Sequence, residues 1–157
     1  MKQKNALTTP ALALGTLYTI GYANSDEAAR LVSLMCNKQT LLIDIRYSPR
    51  SRWLPQWNRA ALTTTYGHRY IWDQRLGNVN YQQRERGIQL CEEHIHAVYA
   101  AASRICQGTN LILLCACKDA RTCHRSLVAK LIQGEVQRHH MRTLQSGSEV
   151  SREKANR

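Results

Sequence analysis

Along this chain the spacing of apolar residues changes rhythm several times, and each change marks an element. Leu17-Tyr-Thr-Ile-Gly21 is a short β-branched and aromatic run closed by a glycine, and predicts a first strand. Asn24-Ser-Asp-Glu27 follows as a helix start, with Asn24 as cap and Glu27 three residues on to reach back. Ala28, Leu31, Val32 and Met35 then recur on one helical stripe. Gln39-Thr-Leu-Leu-Ile-Asp44 is apolar on successive residues, the mark of a strand covered on both faces, and so favours a parallel sheet.

Regular signals fade from Arg46 to Gln83, where one short helix is predicted around 58–65 and Leu76-Gly-Asn-Val-Asn80 reads as a loop. Ile88, Cys91, Ile95, Val98, Tyr99, Ala102 and Ile105 resume helical spacing up to Gly108, a stop signal. Asn110-Leu-Ile-Leu-Leu-Cys115 is the clearest strand. Beyond a cysteine-rich turn, Leu127, Val128, Leu131 and Ile132 mark a last helix that Gly134 is expected to end. This order of elements predicts a small layered α/β domain with a mostly parallel central sheet flanked by helices. Its expected extent is 16–144, between a poorly ordered leader (1–15) and a disordered polar tail (145–157). A chain of 157 residues suits one such domain.

Ligands of parallel sheets sit beyond the carboxyl ends of the strands. Three segments qualify: the turn after Gly21, the stretch from Asp44 onward, and the turn from Cys115 to Arg125. Charge sharpens this picture, because 22 Lys and Arg against 11 Asp and Glu leave a formal +11 that attracts anionic partners, whether small molecules or nucleic acid. The six cysteines of so long and apolar a chain read as reduced thiols rather than a disulfide framework. Thr8, Thr9 and Pro10 interrupt the apolar residues behind Lys2 and Lys4, so no secretory signal is expected. No run approaches the roughly 18 apolar residues of a spanning helix. A cytoplasmic protein without a membrane partner is the expectation.

The turn Cys115-Ala-Cys117-Lys-Asp-Ala-Arg121-Thr-Cys123-His124-Arg125 joins a buried strand to a helix, where backbone N–H groups and the helix dipole favour an anion or a thiolate. Cys115 and Arg121 have the Cys-x5-Arg spacing of thiol-phosphatase loops, yet Cys117, Lys118 and Asp119 stand where such a cradle wants small residues, and a carboxylate opposes a phosphate. Cys115, Cys117, Cys123 and His124 are alternatively ligands for a thiophilic metal, although Cys-x-Cys-x5-Cys-His differs from the paired Cys-x2-Cys knuckles of structural zinc. A purely packed role for the cysteines is the third reading.

The second constellation is Asp44-Ile-Arg46-Tyr-Ser-Pro-Arg50-Ser-Arg52-Trp53-Leu-Pro-Gln-Trp57-Asn58. Asp44 closes an apolar strand, where a buried carboxylate must find a donor such as arginine. Arg46, Arg50 and Arg52 alternate with Tyr47, Trp53 and Trp57, a pattern suited to phosphate contacts with base stacking, or to a solvated basic loop anchored by its tryptophans.

Taken together, Tyr18-Thr-Ile-Gly-Tyr-Ala-Asn24, Asp44 through Arg52 with Pro55-Gln-Trp-Asn58, Leu76 through Asn80, and Leu113-Leu-Cys-Ala-Cys117 through Cys123-His-Arg-Ser126 resemble the family catalogued as domain of unknown function 488, over roughly 17–133. The resemblance implies a compact α/β fold with a site at Asn24, Asp44, Arg46, Pro49, Arg50, Asn58, Gly77, Cys115, Cys123, His124 and Arg125. It implies no reaction. Members often carry glutamate where this chain has Cys117.

The leading expectation is a small enzyme or processing factor for a nucleotide-containing or phosphorylated substrate. Catalysis would fall to Cys115, His124 and Asp44, and anion binding to Asn24, Arg46, Arg50, Arg52, Asn58 and Arg125. No cofactor is expected on that reading. The alternatives are a non-catalytic nucleic-acid-binding module and a metal-binding protein.

Overall fold

A computed structural model describes residues 13–155, so the expected leader lies almost wholly outside the described residues. Four strands make one all-parallel sheet in the order β1-β4-β2-β3. They are β1 (Leu17–Gly21), β2 (Thr40–Asp44), β3 (Tyr70–Trp72) and β4 (Asn110–Cys115). Register sets Gly21 beside Cys115, and Asp44 beside both Leu114 and Trp72. All four carboxyl ends therefore finish along one rim, which brings the three loops after β1, β2 and β4 together.

Period-two geometry explains how a run as uniformly apolar as β4 serves two cores. Leu111, Leu113 and Cys115 face a layer made by α3 (His94–Cys106) and α4 (His124–Ala155), with Val98, Ala101, Val128 and Ile132. Ile112 and Leu114 face α1 (Ser25–Met35) and α2 (Arg59–Tyr66), with Leu31, Met35 and Leu62. The result is a three-layer α/β domain, as the element order predicts.

Several sequence expectations are corrected. Val32 is 68% exposed, so the buried stripe of α1 is Leu31 and Met35. Asn24 does cap α1, its Oδ1 accepting from the Asp26 and Glu27 amides, but Glu27 does not reach back to Asn24. Its Oε2 accepts from the Gly21 amide and its Oε1 from Arg125. Strand β3 is absent from the sequence reading, because three residues are too few for alternation to declare itself. α3 begins at His94 rather than near Ile88, since the segment before it is tied in extended form to Asn78 and Val79. Gly108, with φ +85°, does end that helix region.

Gly134 does not end α4, which continues to Ala155 and takes up most of the expected polar tail. A helix-interior glycine costs only about 1 kcal/mol relative to alanine. Complete burial of Val128 and Ile132 on the same helix contributes roughly 1.5–3 kcal/mol each, which outweighs it. No helix among the described residues is long and apolar enough to cross a membrane.

Candidate functional site

Strand β4 ends by delivering Cys115 to the sheet rim, and the chain returns through a turn at Ala120–Thr122 to Cys123 and the first residue of α4, His124. Cys115, Cys123 and His124 are all buried. Cys115 Sγ stands 3.7 Å from Cys117 Sγ and 3.8 Å from His124 Nδ1, and Cys123 Sγ stands 3.9 Å from the same nitrogen. On its other side His124 Nε2 lies 2.9 Å from the Ile45 carbonyl. A carbonyl only accepts, so Nε2 carries the proton and the Nδ1 lone pair points at the sulfurs. Burial holds the imidazole below its ordinary pKa and so favours this neutral form. Donation from the Cys117 and Cys123 thiols brings Cys115 down to about 3 against the opposing effect of burial. Those two thiols are pushed up in turn because they donate to Cys115.

A second buried group backs the rim between β2 and β3. Arg46 Nε donates to Asp44 Oδ1 at 2.8 Å and Nη2 to Oδ2 at 2.5 Å, while Nη2 also reaches the Trp57 carbonyl at 2.7 Å. Tyr70 Oη donates to Asp44 Oδ2 at 2.7 Å. Both Asp44 oxygens are thus occupied and the residue is 0% exposed, with no free lone pair directed at a ligand. Asp44, expected either to be catalytic or to pair with an arginine, is paired with Arg46 and Tyr70 and anchors the loop. Burial opposes the Arg46 cation, but the bonds and charge of Asp44 outweigh it and raise its pKa.

Tyr70 is pushed up by burial and then by the adjacent carboxylate. The folded chain holds this proton more tightly than the unfolded chain, so its stabilisation is complete below the ordinary tyrosine pKa of about 10 and is lost as pH rises beyond it. Urea denaturation between about pH 9 and pH 11 is expected to show a steeper loss of stability in the wild type than in Tyr70→Phe. Equal slopes would remove the Tyr70–Asp44 bond from the fold.

In front of these groups opens a cavity of about 2140 Å³. Cys115, Cys117, Cys123 and His124 form its floor, and the Arg46 to Asn58 connection forms one wall. Arg50, Arg52, Arg59, Arg84 and Lys118 line it without a carboxylate partner among the described residues. The lining carboxylate of Asp119 is already paired with Arg121 at 2.9 Å, which holds it below the usual range. Aromatic faces complete the walls. Tyr22 stacks on Trp57 at 4.8 Å between centroids, and the Arg59 guanidinium lies 4.5 Å over the Trp72 ring. Trp72 Nε1 donates to the Arg46 carbonyl at 2.9 Å, fixing that ring to the loop. Asn58 does the same for the opposite end, its Oδ1 accepting from the Ser51 amide at 2.5 Å.

Among the residues singled out from sequence, Cys115, His124, Arg46, Arg50, Arg52 and Asn58 meet at this cavity, as do Cys117 and Cys123. Asn24 and Arg125 do not line it. Arg125 is 0% exposed, with Nη2 on Glu27 at 3.1 Å and Nη1 on the Cys117 carbonyl at 3.0 Å. It therefore braces the cysteine turn from behind instead of meeting an anion. Arg121 points to solvent with Asp119, so Cys115 and Arg121 form no phosphatase cradle. Sequence reasoning missed Arg59, Tyr70 and Trp72, and read Glu27 only as a capping partner. Arg59 and Trp72 carried no motif, and only folding brings them into contact.

The family described as Domain of unknown function DUF488 has a sequence profile that matches residues 27–132, more than half of the chain. No curated protein and no solved structure matches the chain.

Proposed function

We propose that this chain, which belongs to the DUF488 family, is a small enzyme or processing factor that takes a nucleotide-containing or otherwise phosphorylated substrate into the cavity at the rim of its sheet. One observation carries this reading. Five cations without carboxylate partners among the described residues line the cavity with Tyr22, Tyr47, Trp72 and Tyr81, above a floor of three sulfurs and an imidazole. Phosphate oxygens suit the guanidinium groups, which offer fork-shaped donors, and a base suits the Tyr81 ring, 42% exposed on the cavity wall. Cys115 and His124 Nδ1 are the electron donors that the substrate would meet.

Binding of a nucleoside triphosphate and of a short single-stranded oligonucleotide, followed by titration calorimetry across a salt series, tests the reading. Affinity is expected to fall steeply with salt. Each lost single-strand phosphate contact lowers the slope of log K against log salt by about 0.7, so Arg50→Ala with Arg52→Ala is expected to flatten the oligonucleotide slope by about 1.4. Millimolar binding of both ligands at low salt would leave the proposal without support.

Trp53 favours a second reading, a nucleic-acid-binding module without turnover. It is 86% exposed beside Arg52, where a ring can stack on a base outside the cavity. In that case the oligonucleotide binds well, the triphosphate does not, and the bound strand is recovered unchanged.

A further inference from the structure

We propose that Cys115, Cys123 and His124, with Cys117 closing the fourth position, hold one thiophilic divalent cation of the zinc class at the floor of the cavity. Thiolate sulfur and imidazole nitrogen are the ligands such ions select, and carboxylates are absent from the cluster. The ligand atoms of Cys115, Cys123 and His124 all lie within 4.8 Å of one another. The individual separations are more telling. With Zn–S near 2.3 Å and Zn–N near 2.0–2.1 Å, neighbouring donors of a tetrahedron stand roughly 3.5–3.8 Å apart. Here the Cys115–Cys117 sulfurs are 3.7 Å apart, and His124 Nδ1 is 3.8 Å from Cys115 Sγ and 3.9 Å from Cys123 Sγ. These three agree with a tetrahedral edge to within a few tenths of an ångström; the Cys115–Cys123 pair, within 4.8 Å, is wider and closes by up to about 1 Å on binding.

The surroundings support the same assignment. A metal-bound imidazole commonly donates its other N–H to a backbone carbonyl, which sets the tautomer and aims the coordinating lone pair. His124 Nε2 does this with Ile45. Packing alone gives no reason for the opposite face of a buried imidazole to meet only sulfur, a weak donor, because an underused buried nitrogen is costly. Cys117 is also held in place, since Arg125 Nη1 donates to its carbonyl and Gly21 leaves room for both groups. The donors come from the end of β4, the following turn and the start of α4, so the packed sheet and helix arrange them. A site of three thiolates and a dication has a net negative charge, which the arginines lining the cavity offset.

The inference concerns the donor cluster alone: anion binding by the cations of the cavity is compatible with it, whereas a bound cation would take the Cys115 Sγ and His124 Nδ1 lone pairs in place of a substrate electrophile. Untagged protein, prepared without chelators, is expected to contain close to one zinc per chain by elemental analysis. Cobalt loading is expected to produce a tetrahedral ligand-field spectrum with thiolate charge-transfer bands. Cys115→Ser is expected to weaken zinc binding by more than about 100-fold, beyond the roughly 10–100-fold of an outer-shell contact, whereas Cys36→Ser leaves it unchanged. Should Cys115→Ser fail to fold, the cobalt spectrum of the wild type decides. An octahedral, thiolate-free spectrum, or no cobalt binding at micromolar concentration, overturns the assignment. The Arg50→Ala, Arg52→Ala protein separates the two proposals, because it is expected to lose anion affinity and keep its zinc.

Discussion

Asp44→Ala is expected to lower the unfolding free energy by about 3–5 kcal/mol, the cost of leaving one member of a buried ion pair without its partner. At about 2–4 °C per kcal/mol for a chain near this size, melting falls by roughly 6–20 °C. The physical reason is the completeness of the pairing: Arg46 gives Asp44 two side-chain bonds, Tyr70 gives it a third, and Arg46, only 5% exposed, regains little water once the carboxylate is gone. Asp44→Asn retains an acceptor but no charge, and is expected to lose roughly half as much, in the range of about 1.5–3 kcal/mol for a charged hydrogen bond. Urea denaturation of the two variants measures both numbers. A residue kept for catalysis rather than architecture would give a different result: Asp44→Asn would fold with wild-type stability while substrate turnover vanished. The structure predicts the reverse, because the carboxylate lies behind the loop that it anchors.

Gly21→Ala is expected to be as damaging, at about 3 kcal/mol or more, the upper end of the cost of overpacking. A Cβ at this position would lie 1.6 Å from Arg125 Nη1 and 1.9 Å from the Cys117 carbonyl oxygen. The arginine tip can swing away, but only by giving up its bonds to Glu27 and Cys117. A backbone oxygen cannot move without shifting the cysteine turn. The substitution is therefore expected to act at the site as well as on stability, loosening Cys117 and making its thiol more reactive toward alkylating agents, as read by mass spectrometry. An alanine variant with wild-type stability and unchanged Cys117 labelling would show that the first strand and the cysteine turn do not approach each other as described.

These two substitutions also mark how far the residues could be read before folding. The alternation that builds the sheet was legible: β1, β2 and β4 follow from runs of apolar and β-branched residues, and their parallel arrangement follows from apolar character on both faces. The rule that ligands gather at the carboxyl ends of parallel strands then directs attention to the turn after Cys115 and the basic connection after Asp44, and the two do meet in one cavity. Helix boundaries were less legible, because periodicity cannot see that Ile88 and Cys91 lie in an extended segment tied to Asn78, or that Gly134 is carried through by the burial around it.

Which side of the rim each polar group faces was not legible at all. Arg50 and Arg125 are the same residue type in equally suggestive motifs, yet one lines the cavity and the other is sealed behind it with Glu27. From local sequence Asp44 reads as a catalytic carboxylate or as the partner of an arginine, and its bonds to Arg46 and Tyr70 fit the second; Glu27 reads as a capping partner, which its long-range pair with Arg125 overrules.

What this sequence determined by itself is the layered α/β class, the rim where a site would form and the chemical types gathered there, because apolar period and strand order depend on near neighbours. The tertiary structure alone decided which charges are spent on one another and which remain for a ligand. That choice depends on pairs such as Glu27 and Arg125, separated by most of the chain and joined only when α1 and the start of α4 meet the ends of β1 and β4.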